Sequence, residues 1–178
     1  AYYLPQSQFT GIDLAEDPIA AGRAITSDLG LSNIHLRAAD LRDLGPDDGE
    51  FDYIFAHGLY SWIPADVRDR LLAICRERLS PQGVAFVSYN VYPGCYSRQM
   101  IRQILLYHTR AIEDPAQRIS EARRFLPEIE HEEAKHLMEH GDDGLFHDDL
   151  APINDPVWFR EFAEHAGRHG LQYLAEGQ

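Results

Sequence analysis

Phe9-Thr10-Gly11-Ile12-Asp13 is the first of four short apolar or β-branched runs that each finish in a polar residue. The other three runs cover residues 34–40, 51–58 and 84–90. A helix-like stretch separates each run from the next, which is typical of parallel strands joined by crossover helices. Because the carboxyl ends of such strands meet at one edge of a sheet, we expect the polar ends to lie along a ligand-binding edge. These residues are Asp13, Asp40, His57 and Asn90.

The stretches between the runs carry helix start and stop signals. Asp17-Pro18 predicts the start of a helix that Gly30 ends, with Ile19, Ile25 and Leu29 on its apolar side. Pro64 opens the next helix, whose inward residues are predicted to be Val67, Leu71, Leu72, Ile74 and Cys75. Ser80-Pro81-Gln82-Gly83 predicts a turn before the fourth strand. The sequence therefore predicts an α/β fold with a doubly wound sheet.

Beyond residue 96 the alternation of strand and helix stops. Residues 97–140 read as helices with a break near Asp114-Pro115, and a face is predicted from Met100, Ile104, Leu105 and Tyr107. A last helix over residues 156–169 and a strand over residues 171–175 follow. We therefore predict three segments: a core over residues 1–96, a helical insert or lid over 97–150, and a return to the core over 151–178.

Composition limits the classes of partner. The net charge is −13, and residues 112–178 hold 16 of the 29 acidic residues, so non-specific binding to nucleic acid is disfavoured. No apolar run approaches the roughly 18 residues that span a bilayer. Two cysteines, Cys75 and Cys95, fit a reducing compartment better than a disulfide framework. We expect a cytoplasmic protein without nucleic-acid or membrane partners, and a homo-oligomer is left open.

Four motifs in this order resemble strands two to five of class I S-adenosylmethionine-dependent methyltransferases. They are Gly11-Ile12-Asp13-Leu14, Ala39-Asp40-Leu41, Phe51-Asp52-Tyr53-Ile54 and Leu79-Ser80-Pro81-Gln82-Gly83. More narrowly, residues 57–64, 88–94 and 169–176 are similar to bacterial methyltransferases that carry a methyltransferase regulatory domain, related to rickettsial protein-lysine methyltransferases. The resemblance implies a Rossmann-like methyltransferase sheet with a helical insert after the fifth family strand. It places the first family strand and its Gly-rich loop before Ala1, and the closing strand after Gln178.

The resemblance implies S-adenosylmethionine as cofactor and assigns residues to it. Asp13 would accept hydrogen bonds from the ribose hydroxyls, although a carboxylate there could instead cap the following helix. Asp40 would accept from the adenine amino group, or it could be a plain turn residue. The backbone N–H of Leu41 would reach an adenine ring nitrogen. The expected cofactor-binding set is Gly11, Asp13, Leu14, Asp40, Leu41 and His57.

The acceptor side is expected after the third and fourth runs. His57, Tyr60 and Asn90 are the candidate catalytic residues, with His57 as a base or merely a strand-end cap. Trp62, Tyr89 and Tyr92 are candidates for the substrate pocket, where aromatic walls exclude water, although Trp62 and Tyr92 could simply be core residues. The methyl acceptor is a small molecule or a protein lysine by this resemblance.

Two other classes of function stay open at this point. An NAD-dependent oxidoreductase would use the same carboxylate after its strand, and a non-catalytic regulatory or dimerisation module could keep the fold. Two pairs of histidines, His136 with His140 and His165 with His169, have helical spacing, but no third ligand is evident from the sequence. We therefore predict no metal site.

Overall fold

A parallel strand pair opens the fold in the computed structural model, which describes residues 1–177 except the side chain of Pro46. β1 (Phe9–Asp13) lies beside β2 (Ile34–Ala38), with Gly11 opposite Leu36. A Cβ atom on Gly11 would lie 2.5 Å from one δ-methyl of Leu36, and one on Gly22 would lie 2.8 Å from the other. Gly22 belongs to helix α1 (Glu16–Asp28), so Leu36 fills the space that two glycines leave.

Helix α1 ends where the sequence predicted, but fewer of its residues are buried than predicted. Gly30 has a φ of +64°, the left-handed conformation that favours glycine after a helix. Of the three residues predicted on the apolar side, only Ile19 is buried, whereas Ile25 and Leu29 are each 59% exposed. Two short 3₁₀ helices, Leu41–Asp43 and Pro46–Asp48, follow β2. These elements belong to the first of two compact units, Ala1–Phe51.

The second unit, Asp52–Gln178, contains the remaining helices and strands except Phe51, the first residue of β3. β3 (Phe51–Ala56) pairs with β4 (Leu79–Val87), and helix α2 (Ala65–Arg78) connects them. The Ser80 hydroxyl donates to Asp52 near the start of both strands, and the N–H of Ser88 donates to Ala56 near their end, so the two strands run in the same direction. All five residues predicted to face inward from α2 are buried.

The predicted turn at residues 80–83 is wrong. β4 begins at Leu79, immediately after the last residue of α2. Pro81 disfavours a helical conformation at Ser80, so the helix must end there, but the chain continues as an extended strand instead of turning. The signal for the end of the helix was correct, and the start of the strand lies five residues earlier than the predicted Val84.

Helices dominate the chain from residue 96 to residue 149. They are α3 (Tyr96–His108), α4 (Pro115–Phe125), α5 (Glu132–Glu139) and the short α6 (Asp142–Gly144), followed by a π-helical turn over Leu145–Asp149. The predicted break is present, because Asp114 caps α4 and Pro115 begins it. The predicted face of α3 is wrong in part: Ile101, Arg102 and Leu105 are buried, whereas Met100, Ile104 and Tyr107 are not. The helices share a core of eight buried side chains from Ile101 to Leu150.

The end of the chain differs from the prediction. β5 (Val91–Tyr92) pairs in parallel with β6 (Val157–Trp158), and helix α7 (Phe159–Arg168) follows. Gly170, with a φ of +73°, ends α7 as predicted. The strand predicted over residues 171–175 does not form, because no neighbouring strand pairs with it in the described part of the chain. Gln178, the last residue of the predicted third segment, lies outside the described residues.

Within residues 1–177 the strands are joined in three pairs, β1 with β2, β3 with β4 and β5 with β6. Along the chain, the boundary between the two compact units follows Phe51, which differs from the predicted segment boundaries, and these stay a prediction. None of the described helices combines the length and apolar character that crossing a bilayer requires.

Candidate functional site

The first unit brings Asp13 and Asp40 to neighbouring strand ends. Asp13 is paired with Ala38, and the N–H of Ala39 donates to the Asp13 carbonyl over 2.9 Å. The Asp13 side chain accepts from the N–H of Ala15 over 2.8 Å, which fixes the loop after β1. The N-cap residue of α1 is Ala15, so Asp13 does not cap the helix. Asp13 is exposed, and Leu14 beside it is 72% exposed, so both are accessible to a ligand.

The Asp40 carboxylate accepts more hydrogen bonds within the protein than the Asp13 carboxylate does. It caps the 3₁₀ helix Leu41–Asp43 by accepting from the N–H of Arg42, and it also binds the Arg42 guanidinium over 2.6 Å. Hydrogen bonds from the Arg42 side chain and then from its backbone lower the pKa of Asp40 to about 2. This arrangement favours the turn role that the sequence left open. The N–H of Leu41 is the first of a short helix and needs no partner within that helix.

In the second unit, His57 lies just beyond β3, next to the hydrogen bonds that join the ends of β3 and β4. The N–H of Gly58 donates to the Ser88 hydroxyl over 2.7 Å, and Gly58 has a φ of +62°. The His57 ring lies 6.1 Å from the ring of Phe86 in a stacked orientation, and the residue is exposed. This position is accessible to an acceptor, and the role of base stays a prediction.

Tyr60 is buried, with only 3% of its surface exposed. Its hydroxyl lies 2.8 Å from Nδ1 of His165, and the Arg68 guanidinium lies 5.3 Å from its ring centroid. Burial raises the pKa of Tyr60 above its ordinary value. The ring meets Phe162 edge-on at 5.1 Å, and Tyr89 stacks on the same Phe162 at 4.1 Å. Tyr60 and Tyr89 thus share an aromatic cluster, and Tyr60 is better placed to position neighbours than to contact a substrate.

Asn90 is the centre of a polar network. Its backbone N–H donates to the Ser61 hydroxyl over 2.8 Å, and its side-chain amide donates to Oδ1 of Asn154 over 2.9 Å. Gln99 donates to the same Asn154 oxygen over 3.2 Å, and Asn154 donates to the Asp148 carbonyl. The network therefore ties the start of β5 to α3 and to the segment before β6. Ser61 and Asn154 are buried and were not singled out from the sequence, since neither belongs to a periodic pattern.

Trp62 borders an apolar cavity of about 240 Å³. The other residues that line it are Phe146, His147, Ala151, Pro152 and Ile153. The indole N–H of Trp62 is buried and has no hydrogen-bond partner among the described residues. A buried donor without a partner is destabilising, which is consistent with a position where a ligand supplies the acceptor.

Tyr92 belongs to a second aromatic cluster. Its ring lies 4.5 Å from that of Tyr96 and 5.8 Å from that of Trp158, so the predicted pocket residues Tyr89 and Tyr92 lie in different clusters. Cys95 is next to this cluster, and its thiol donates to the Val91 carbonyl over 3.1 Å. Burial raises the pKa of that thiol, which disfavours a nucleophilic role.

The prediction that no metal site exists rested on the lack of a third ligand for the histidine pairs. The structure places Asp69 against one of these pairs, with Oδ1 lying 3.1 Å from Nε2 of His165 and 2.8 Å from Nε2 of His169. Asp69 lies on α2, almost a hundred residues earlier in the chain. No local sequence pattern could have joined it to the histidines.

Comparison with known proteins identifies two family regions. Residues 1–83 match the family described as "Methyltransferase domain", and residues 141–178 match "Predicted methyltransferase regulatory domain". The Rickettsia prowazekii protein RP028 is 31% identical over 184 residues, which cover 96% of this chain and 74% of that protein. RP789 from the same organism is 35% identical over 99% of this chain, but the chain spans only 34% of its length.

A solved structure supports the same assignment. PKMT2 from Rickettsia typhi, determined in complex with AdoHcy, has a TM-score of 0.83 and is 32% identical. The match covers 96% of this chain and 36% of that one, so the chain spans about a third of the length of PKMT2. From the matched regions, this similarity and the order of the strand-end motifs, we conclude that the chain belongs to the class I S-adenosylmethionine-dependent methyltransferases.

Proposed function

We propose that the protein carrying this chain transfers a methyl group from S-adenosylmethionine to an amine, either a protein lysine or a small molecule. The observation that carries this proposal is the similarity to PKMT2, whose structure holds AdoHcy. AdoHcy is S-adenosylmethionine after loss of its methyl group, so a protein that holds it has a site suited to methyl transfer. The family assignment also argues against the NAD-dependent oxidoreductase alternative.

The first unit supplies residues whose chemistry fits the cofactor. S-adenosylmethionine supplies a methyl group activated by a positively charged sulfur. Asp13 offers an exposed carboxylate for the ribose hydroxyls, and Leu14 offers an exposed apolar side chain beside it. The N–H of Leu41 is a donor suited to an adenine ring nitrogen. Because Gly11 has no side chain, β1 can pack closely against Leu36. Asp40 stabilises the loop after β2 by accepting hydrogen bonds from Arg42.

The second unit supplies the acceptor side in this proposal. The cavity beside Trp62 has apolar walls, and such a wall favours the neutral form of an entering amine, which is the form with a free lone pair. His57 is the candidate proton acceptor, and Asn90 holds the strand end that precedes β5. Tyr60, Tyr89 and Tyr92 shape the aromatic surroundings. We assign Tyr60 a positioning role because its hydroxyl is engaged by His165.

Residues 97–150 are proposed as a lid over the acceptor cavity. Phe146 and His147, near the end of this segment, line the cavity together with Trp62. Arg98 on α3 binds the buried Asp149 over 2.8 Å, and Arg102 donates to the Ala151 carbonyl, so the end of the segment is fixed to α3. Among the described residues, none that lines the cavity is acidic, so the acidic side chains of this segment lie outside it. An acidic exterior with an apolar interior favours a basic acceptor.

The proposal is tested on the complete protein by incubating it with S-adenosylmethionine and candidate acceptors. Release of S-adenosylhomocysteine together with methyl-lysine in a protein substrate, detected by mass spectrometry, is the expected result. Asp13→Asn should reduce turnover through weaker cofactor binding. If the protein binds S-adenosylhomocysteine but methylates neither proteins nor small amines, the alternative of a non-catalytic module that keeps the fold replaces this proposal. The expectations of a cytoplasmic location, of homo-oligomerisation and of no nucleic-acid partner stay predictions.

A further inference from the structure

Three potential metal ligands converge at the contact between α2 and α7. Asp69 lies in α2, His165 lies in α7, and His169 follows directly after α7. One ligand atom from each residue lies within 4.8 Å of the others. The side chains of His165 and His169 are only 13% and 18% exposed, whereas that of Asp69 is 62% exposed. The cluster is therefore closed on the protein side and open to solvent at Asp69.

The spacing of the histidines makes the convergence specific. Residues four apart lie above one another on the same face of a helix, so both imidazoles can point towards α2. Both Nε2 atoms lie within 3.1 Å of the same carboxylate oxygen, Oδ1 of Asp69. In a tetrahedral zinc site, ligand atoms about 2.0–2.2 Å from the ion are about 3.3–3.5 Å from one another. Small outward movements of the side chains would make room for an ion between them.

Tyr60 provides the outer partner that a metal-binding histidine requires. A histidine that binds a metal through Nε2 normally donates its Nδ1–H to a fixed acceptor, which selects the tautomer and orients the ring. Nδ1 of His165 lies 2.8 Å from the Tyr60 hydroxyl, and Tyr60 is itself buried. The nearby positive charge of Arg68 is balanced, because its guanidinium binds Asp155 over 3.1 Å.

We propose that Asp69, His165 and His169 bind one divalent transition-metal ion, with zinc as the expected ion and a water molecule as the fourth ligand. Two imidazoles and one carboxylate are ligands that zinc prefers, and the exposed side of Asp69 is where water can complete the coordination. The ion would fasten α7 to α2 and fix the position of Tyr60. This inference does not depend on methyl transfer, since its test measures metal binding and stability.

The test uses tag-free protein that has been treated with a chelator and then titrated with zinc chloride in a calorimeter. We expect about one ion per chain and a rise in melting temperature on adding zinc. His169→Ala should weaken binding about 100-fold or more, and Tyr60→Phe, which removes only the outer partner, should weaken it about 10–100-fold. Asp69→Asn, at an exposed position, should also weaken binding and provides a variant that is expected to fold.

The second histidine pair offers a matched control. His136 and His140 have the same spacing, at α5 and just after it, with ring centroids 5.0 Å apart, and no third ligand joins them in the described part of the chain. The double variant His136→Ala, His140→Ala should keep the stoichiometry and affinity for zinc. Absorption bands of tetrahedral cobalt should appear in wild-type protein and be lost in Asp69→Asn. If wild-type protein binds no zinc, or if Asp69→Asn and His169→Ala bind it as tightly as wild type, the cluster is a hydrogen-bonded contact and the proposal is wrong.

Discussion

The side-chain amide of Asn90 donates a hydrogen bond to Oδ1 of Asn154 over 2.9 Å, which joins two positions 64 residues apart. Asn154 is 4% exposed, and it also accepts from Gln99. Because the buried Asn154 side chain accepts hydrogen bonds from residues of two different elements, it fixes the positions of both elements. The start of β5 and the end of the helical segment are thereby held in one geometry, close to the residues proposed to receive the acceptor.

Replacing Asn154 should therefore destabilise the second unit. Asn154→Ala leaves the side-chain amide of Asn90 without its acceptor and leaves Gln99 only the Asn154 backbone carbonyl, so we expect the free energy of unfolding to fall by about 1–3 kcal/mol. Urea unfolding measures this change. Gln172→Ala, at an exposed position without regular structure, should change it by less than about 0.5 kcal/mol. Equal effects of the two substitutions would contradict the network.

Asp13→Ala in the complete protein should weaken binding of S-adenosylmethionine. The expected loss is about 1.5–3 kcal/mol, the scale for removing a charged hydrogen-bonding partner, and calorimetry measures it. Stability should change little, because Asp13 does not cap α1 and the one hydrogen bond that it accepts, from the N–H of Ala15, is exposed to solvent. Asp17→Asn, an exposed residue in the first turn of α1, is the control and should leave the dissociation constant unchanged. A large fall in melting temperature with unchanged binding would instead make Asp13 a structural residue.

Glu121 should make stability depend on acid pH. Hydrogen bonds from Arg124 and then from His108 lower the pKa of Glu121 from 4.5 to about 2. Because the folded state has the lower pKa, this contribution is present above about pH 4.5 and is lost as the pH falls towards 2. The stability difference between wild type and Glu121→Gln should therefore shrink over that range.

Salt provides the check on the Glu121 prediction. Glu121 is at the surface, so high salt should reduce the difference between wild type and Glu121→Gln at neutral pH. Urea unfolding at several pH values and two salt concentrations measures both effects. A difference that is constant from neutral pH to pH 2 would show that the carboxylate charge is not what stabilises the contact between α3 and α4.

Two Gly→Ala substitutions in helices should have opposite effects. A Cβ atom on Gly167 would meet open space, so Gly167→Ala should stabilise by about 0.5–1 kcal/mol through helix propensity. A Cβ atom on Gly22 would lie 2.8 Å from a Leu36 methyl group, and overpacking of this kind costs about 1–3 kcal/mol, more than the gain in propensity. Thermal and urea unfolding of both variants measure the contrast. Stabilisation by both substitutions would show that Leu36 can move aside.

Local periodicity predicted the parts of the fold that depend on neighbours along the chain. The inward residues of α2 were correct because a helix buried along one side repeats its apolar residues regularly. The prediction of the buried face of α3 was wrong in part. Ile101 and Arg102 are buried because other helices pack against them, and the sequence of α3 alone does not show which side those helices cover. The strand over residues 171–175 had the right pattern but no partner in the described chain, and a strand needs one.

The candidate site could be predicted only in part, for a related physical reason. Asp13 could be proposed from the sequence because a carboxylate at a strand end is a local signal; it is exposed in the structure, and its role in cofactor binding stays a prediction. Asn154 and Asp69 were missed, because each acts on residues that are more than sixty positions away in the chain. Tyr60 was predicted as a catalytic residue, and its burial against His165 favours a positioning role instead.

The arrangement of Leu36 between Gly11 and Gly22 has a consequence for how this family can diversify. A side chain at either glycine position needs space that Leu36 must release, either by moving its δ-methyl groups or by replacement with a smaller residue. Substitutions at these three positions should therefore be inherited together, and an alignment of relatives should show them covarying. A lineage that replaced Gly11 alone would have to move Leu36 or shift β1 away from β2, and a shift of β1 would move Asp13 at its end.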